Sequence, residues 1–199
     1  MVIFWLFLII PSLLFSNNES DFELLMGKGT PAWEYVETPE DIDNLAFFKT
    51  LYDQNVTNTP ADRIPKIIHF IWLGPAEFPQ ESQKNIQKWM YLHPDWTFKF
   101  WTDVDRPLPC KGMEKILLSE FKFQVLGDCF YQSENHGEKS QVLRYEILFQ
   151  EGGLYADHDT LPLSSLDKIH SSYDFYCGLE HLKPSILSSS IMPSNHVLA

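Results

Sequence analysis

The sequence is short of cysteine and of positive charge, and each shortage argues against a class of protein. Its 199 residues include three cysteines (Cys110, Cys129 and Cys177) and no Cys-x-x-Cys pair, which argues against a disulfide scaffold or a thiolate zinc site. Fifteen Lys and Arg stand against 27 Asp and Glu. The resulting charge of -12 argues against nucleic acid as a partner, because its phosphates attract basic surfaces. Gly-x-Ser-x-Gly, Walker and His-Glu-x-x-His motifs are also absent.

The N-terminus carries an apolar run, Met1–Phe15, that only Pro11 and Ser12 interrupt. It is shorter than the roughly 20 residues of a membrane span and suits the apolar part of a signal peptide. It lacks the basic start and the Ala-x-Ala cleavage site of such a peptide. We expect residues 1–16 to be a signal peptide or a short membrane anchor, with a buried strand or helix as the remaining alternative. The protein is then exported or membrane-associated: in the secretory pathway or Golgi if eukaryotic, and secreted or envelope-associated if bacterial.

The rest of the chain divides into an acidic leader and a larger domain. Residues 17–63 are acidic and contain a helix start at Thr38-Pro39, so we predict a helical cap. Residues 64–199 alternate helical and strand patterns, which predicts an α/β fold with a mainly parallel sheet. The predicted strands are Ile64–Trp72, Thr97–Trp101, Leu154–Ala156, Tyr173–Leu179 and Ile186–Met192, and the predicted helices are Gln80–Leu92, Met113–Phe121 and Glu138–Glu151.

The strongest local signal for chemistry is Asp157-His158-Asp159, directly after a predicted strand. In an extended segment, Asp157 and Asp159 point to the same side, about 6.6 Å apart. Two carboxylates without a His or Cys cluster suit a hard divalent ion such as Mg²⁺ or Mn²⁺. The alternative is a solvated acidic turn.

Two further residues have both a structural and a functional interpretation. Arg144 lies in a helix that is apolar almost all round, so its guanidinium needs an anionic partner. That partner is either one of the two aspartates or a ligand phosphate. Trp72 ends a strand just before Gly74, where it either completes the core or stacks on a base.

Three segments follow one another in a distinctive order: Ile64–Gly74, the pair His93–Trp96 and Trp101–Asp103, and the pair Ser140–Leu148 and Gly152–Asp159. Together they resemble one enzyme family, the DXD sugar-binding glycosyltransferases. This family includes yeast-type α-1,6-mannosyltransferases, α-1,4-galactosyltransferases and the glucosylating domain of large clostridial cytotoxins. The resemblance implies a GT-A-like, Rossmann-type fold over residues 64–199.

The resemblance also implies an activity. We expect transfer of a sugar from a UDP- or GDP-sugar to a glycan, lipid or protein acceptor, with Mn²⁺ or Mg²⁺ and with retention at the anomeric carbon.

The same resemblance assigns roles to single residues. Asp157, Asp159 and Arg144 are the catalytic candidates, with Asp159 on the metal and Asp157 on the ribose and the water shell of the metal. The donor-binding candidates are Ile71, Trp72, Ser140, Gln141, Arg144, Tyr155 and Asp157.

Two features depart from the family pattern. Gln141 stands where the family usually has an Asp that contacts the donor sugar. The chain also stops at Ala199, shortly after the DXD strand, so we expect a domain that is incomplete at its C-terminus. These departures leave two alternatives open: a non-catalytic nucleotide-sugar-binding remnant, and a metal-dependent phosphohydrolase that uses the same two acids.

Overall fold

A computed structural model describes residues 22–54, 64–183 and 189–199. The apolar N-terminal run and its predicted role lie outside these residues. Six α-helices are described, together with a 3-10 helix at Pro31–Tyr35: α1 (Phe22–Leu25), α2 (Pro39–Gln54), α3 (Gln80–Leu92), α4 (Gly127–Gln132), α5 (His136–Glu151) and α6 (Asp167–His170). Six strands accompany them: β1 (Ile67–Trp72), β2 (Thr97–Thr102), β3 (Glu114–Leu117), β4 (Leu154–Ala156), β5 (Cys177–Leu179) and β6 (Pro193–Leu198). None of these helices has the length and apolar character that a membrane crossing requires.

The six strands form one sheet in the order β3-β2-β1-β4-β6-β5. Strands β3, β2, β1 and β4 run parallel, whereas β6 is antiparallel to both of its neighbours. The predicted α/β fold with a mainly parallel sheet is therefore confirmed.

Helices cover both faces of the sheet because apolar side chains of its central strands point to both faces. Ile68 and Phe70 of β1 pack with Trp89 of α3 on one face. Ile71, on the opposite face, packs with Leu143 and Ile147 of α5. Helices α3 and α5 thus each bury an apolar stripe against the sheet.

Several helices and strands differ from their sequence-based prediction. The predicted helix Met113–Phe121 is instead the edge strand β3, which pairs with β2. Although α5 is apolar almost all round in sequence, it is not buried all round, since Tyr145 is 45% exposed and Phe149 is 67% exposed. The last strand begins at Pro193, beyond the predicted Ile186–Met192. The helix start at Thr38 is confirmed, because Asp41 N donates to Thr38 Oγ1 at 3.1 Å.

His69 in β1 is a core residue with both ring nitrogens satisfied. Trp101 Nε1 donates to His69 Nδ1 at 3.1 Å, so His69 Nε2 carries the hydrogen that Gly152 O accepts at 3.0 Å. Burial lowers the pKa of His69 to about 4. The ring is therefore neutral at pH 7 and ties β1 to the turn ahead of β4.

Candidate functional site

The carboxyl ends of β1 and β4 lie side by side in the sheet. From β1 the chain continues outward to β2 and β3, whereas β4 pairs on the other side of β1. The sheet therefore reverses its strand order between β1 and β4, and such a reversal opens a ligand crevice at the carboxyl ends of the strands. Trp72 ends β1 and Asp157 follows β4, so these two residues flank the reversal point.

Three side chains hold the carboxylate of Asp157. Tyr155 donates its hydroxyl to Oδ1, and Arg144 Nη2 lies 3.4 Å from the same oxygen. His196 of β6 donates from Nδ1 to Oδ2. Burial alone would raise the pKa of Asp157, but the hydrogen bond from His196 and the charge of Arg144 lower it below its usual range. Asp157 is therefore an oriented carboxylate anion at neutral pH.

Arg144 reaches this carboxylate from α5 and is only 5% exposed. Its guanidinium carbon lies 4.2 Å from the ring centroid of Tyr155, and Nη1 donates to Asn195 O at 2.5 Å. Within the described residues its Nε has no hydrogen-bond partner. Of the two partners open from sequence, the structure shows the aspartate, and a contact of Arg144 with a donor phosphate remains a prediction.

Asp159 differs from Asp157 in its surroundings. It is exposed, and no hydrogen bond or ion pair to it is found in the described part of the chain. The segment after β4 is a turn, because Thr160 N donates to Asp157 O at 3.0 Å. The expectation of an extended Asp157–Asp159 segment is therefore wrong: the turn replaces the strand at Asp157. Asp159 consequently offers both carboxylate oxygens to solvent or to a ligand.

Helix α3 holds this turn from the other side. Ser82 Oγ and His158 Nδ1 lie 2.7 Å apart, and Asn85 Nδ2 donates to His158 O at 3.3 Å. Farther along α3, Trp89 Nε1 donates to Thr160 O at 3.0 Å. Burial lowers the pKa of His158. Two contacts from α3 therefore hold the backbone of the acidic turn, and a third holds the side chain of His158.

Trp72 lies against the same turn at the end of β1. Its ring contacts His158 and Phe78 edge to face, with centroid distances of 4.9 and 5.5 Å. The indole is half-buried, whereas the neighbouring candidate Ile71 is 4% exposed and belongs to the core. Of these two donor-binding candidates, only Trp72 presents appreciable side-chain surface.

The loop after Trp72 is held by two charged residues that follow β2. Gly74 N donates to both carboxylate oxygens of Asp103, at 2.9 and 3.0 Å. Arg106 donates to Gly74 O and to Ala76 O, and the second bond is 2.7 Å long. Trp72 Nε1 donates to Ala76 O at 2.9 Å, so the clamped loop also orients the indole.

The remaining donor-binding candidates lie in the first turns of α5. The ring of His136 packs so closely on Gly74 that a Cβ there would lie 2.7 Å from His136 Cδ2, which places the start of α5 beside the loop after β1. Ser140 is half-buried and donates its hydroxyl to His136 O at 2.8 Å. Gln141 is exposed.

The oxygen ligands that this site offers suit a divalent ion whose other coordination positions are filled by a diphosphate. The described residues contain no group of three or more His, Cys, Asp and Glu side chains that would hold a metal ion alone. Asp157 and Asp159 supply carboxylate oxygens, and Mg²⁺ commonly takes one or two carboxylates with the rest from substrate phosphates and water.

An open groove of about 810 Å³ runs along α5 and the β5–β6 pair, and it is also lined by Pro65 ahead of β1 and by Gly152 and Gly153 ahead of β4. Glu180 and Asn195 line it, but Trp72, Asp157 and Asp159 do not. The candidate site is therefore defined by strand ends and side-chain contacts and not by a deep cavity.

Sequence reasoning missed His196, Glu180 and Ser82. Asp157 meets His196 across 39 residues, and Ser82 meets His158 across 76. The histidines show no ligand spacing, so no local pattern signals these contacts. Only the pairing of β4 with β6 brings His196 to Asp157.

The region around the acidic turn matches a known protein family. Residues 79–176 match the family described as "Glycosyltransferase sugar-binding region containing DXD motif". This match confirms the predicted family. It includes Arg144, Asp157 and Asp159, whereas β1 with Trp72 lies ahead of it.

Two yeast proteins are among the curated relatives. Mannosyl phosphorylinositol ceramide synthase CSH1 of Saccharomyces cerevisiae is 30% identical over 148 residues, covering 74% of this chain and 35% of that protein. Inositol phosphoceramide mannosyltransferase 3 of Schizosaccharomyces pombe is 26% identical over 143 residues, with 71% and 36% covered. The chain thus spans about a third of the length of these two relatives.

A solved structure, "PaToxG Glycosyltransferase", resembles the chain with a TM-score of 0.48 and 17% identity, covering 79% of this chain and 62% of that one.

Proposed function

Because residues 79–176 belong to the glycosyltransferase family with a DXD sugar-binding region, we propose that the protein transfers a sugar from a UDP- or GDP-sugar to an acceptor hydroxyl. The reaction depends on Mn²⁺ or Mg²⁺ and retains the configuration at the anomeric carbon. The names of the two yeast relatives support mannose as the sugar and a phosphoinositol lipid as the acceptor, ahead of the glycan and protein alternatives.

One observation carries this proposal: Trp72 and the Asp157–Asp159 turn flank the reversal of strand order between β1 and β4. This is the place where an α/β sheet binds a nucleotide. The half-buried indole supplies a stacking surface for a base, and base–aromatic stacking contributes about 1–3 kcal/mol. The oriented carboxylate of Asp157 accepts a hydrogen bond from ribose, while exposed Asp159 remains to bind a cation.

The chemistry of transfer explains why carboxylates belong here. Breaking the bond between the anomeric carbon and the donor phosphate leaves a nucleoside diphosphate with growing negative charge. A bound divalent cation would neutralise that charge. Residues of the chain hold the two parts of this site: Arg144 and Tyr155 hold the carboxylate of Asp157, and α3 holds the turn that carries Asp159.

Replacement of Asp159 tests the proposal. We expect Asp159→Ala to abolish Mn²⁺-dependent binding of UDP and GDP in calorimetry and to abolish donor hydrolysis, because the exposed carboxylate is the direct metal ligand. Asp43→Ala, which removes an equally exposed acid on α2, is the matched control and keeps both properties. Unchanged binding and hydrolysis in Asp159→Ala would contradict the assignment.

A second function, binding without turnover, is favoured by Gln141. This residue is exposed near the site and lacks the charge of the usual family Asp. A turnover assay on protein that binds the Mn²⁺–nucleotide separates the two functions: release of free sugar or glycosylated acceptor supports the enzyme, and its absence supports the binding protein.

For cellular location we propose export or membrane attachment through residues 1–16, which agrees with a lipid acceptor.

A further inference from the structure

We propose that His196 is a positioning residue of the donor site, acting through Asp157. This inference rests on the proposed nucleotide-sugar function and names a residue of the same site that neither the DXD pattern nor the metal candidates include. His196 lies in β6, which pairs antiparallel with β4 beside the acidic turn.

The contact joins the two residues twice. Asp157 N donates to His196 O at 2.8 Å, which continues the ladder between the two strands. The side chain of His196 donates from Nδ1 to Asp157 Oδ2. Backbone and side chain of Asp157 are thus both held by one residue.

A second carboxylate lies at the other nitrogen of the ring. His196 Nε2 is 3.3 Å from Oε1 of Glu180. The side chain of Glu180 is 16% exposed, whereas that of His196 is 37% exposed. With a carboxylate at each nitrogen, the plane of the imidazole is defined, and Nδ1 faces Asp157.

The contact with His196 limits where Asp157 can accept a further hydrogen bond. Each carboxylate oxygen accepts about two hydrogen bonds. Tyr155 donates to Oδ1, which also forms an ion pair with Arg144, whereas His196 occupies one position of Oδ2. One acceptor position of Oδ2 therefore remains for a ribose hydroxyl or for a water on the cation, and His196 sets its direction.

Two amide replacements separate the two ring nitrogens. In His196→Asn the amide nitrogen takes the place of Nδ1 and still donates to Asp157. In His196→Gln the amide lies at the place of Nε2, close to Glu180, and leaves Oδ2 of Asp157 without its donor. His181→Asn is the matched control, because His181 is an exposed histidine of the same region of the chain.

The measurement is the affinity of the full chain for UDP and for GDP in the presence of Mn²⁺, by calorimetry. Loss of a partner behind a metal-site carboxylate typically costs 10–100-fold in affinity. We expect His196→Gln to bind roughly tenfold more weakly, His196→Asn to stay within about threefold of wild type, and His181→Asn to be unchanged. His196→Ala, which removes both contacts, repeats the loss if the Gln variant does not fold.

The outcomes separate this inference from the function on which it rests. Wild-type protein that binds neither Mn²⁺–UDP nor Mn²⁺–GDP overturns both. Wild-type binding together with unchanged affinity in His196→Gln overturns only the role of His196. Equal weakening in the Asn and Gln variants, at equal thermal stability, also overturns it, because the Asn variant keeps the Nδ1 donor.

Discussion

Gly153, directly before β4, shows how strictly one residue is constrained where β4 approaches β1. Its φ is +84°, and a Cβ on it would lie 2.8 Å from Ile67 O. We expect Gly153→Ala to lower the free energy of unfolding by about 3 kcal/mol, because left-handed backbone conformation and steric overlap act together. Chemical denaturation measures this loss.

Gly29 is the matched control for that substitution. It has a similar φ of +87°, but nothing lies within 4 Å of the place of its Cβ. Gly29→Ala should therefore cost only the backbone part, about 1 kcal/mol. Equal losses at the two glycines would show that the close approach of β4 to β1 contributes nothing.

Single residues also show how much of the site the sequence predicts. Asp157, Asp159 and Arg144 follow from a local pattern, since all belong to one helix–turn–strand stretch whose order is visible in the chain. The sequence leaves Arg144 two partners, an aspartate or a ligand phosphate, and the structure shows the buried guanidinium paired with Asp157. His196 was not predicted, because its role arises only from the neighbouring strand.

At the scale of elements, α5 fastens the segment ahead of α4 through Glu146. This carboxylate is fully buried and accepts from the backbone N–H groups of Gln124 and Leu126, both at 2.6 Å. We expect Glu146→Gln to lower the free energy of unfolding by about 2 kcal/mol at pH 7, because the charge-assisted hydrogen bonds are lost. Glu138→Gln, on the exposed first turn of α5, should cost about 0.5 kcal/mol at most.

The same carboxylate gives the fold a pH dependence. Burial alone would raise the pKa of Glu146, but the N–H donors of Gln124 and Leu126 lower it below its ordinary value near 4.5. A carboxylate whose pKa is lowered on folding stabilises the folded state fully when the pH is above its pKa in the unfolded chain. This stabilisation is lost as the pH falls through its pKa in the folded state. Denaturation from pH 7 to pH 3 should therefore show a shallower loss of stability in Glu146→Gln than in wild type. Parallel curves would contradict this role.

The elements that sequence reasoning identified are those with local patterns. Strand β1, helix α3 and helix α5 have apolar spacing and clear ends, and each lies close to its predicted range. Strand β3 was predicted as a helix because Ile116 and Leu117 fit either pattern over so short a stretch. Pairing with β2 makes this segment a strand, and that pairing is a contact between separate parts of the chain that a local pattern does not show.

At the scale of the whole molecule, distant segments meet around the sheet. Asp41 of α2 accepts from Ser190 N at 2.6 Å and from Ser189 Oγ at 2.8 Å, across almost 150 residues. Burial alone would raise the pKa of Asp41, but the donors from Thr38, Ser189 and Ser190 hold it far below its usual range. The acidic segment is thereby fastened to the loop before β6, a contact that no sequence pattern indicates.

At the scale of the whole molecule, the net charge of -12 also opposes the binding of an anionic nucleotide. A protein of this charge repels a free nucleoside diphosphate, and the two aspartates at the site add to that repulsion. We expect EDTA to weaken calorimetric binding of UDP or GDP, and Mn²⁺ or Mg²⁺ to restore it, because the cation bridges the carboxylates and the phosphates. NaCl at matched ionic strength is the control, since monovalent salt screens exposed charges without ligating carboxylates. Recovery with NaCl as complete as with Mn²⁺ would mean that general repulsion, and not a cation held by Asp157 and Asp159, limits binding.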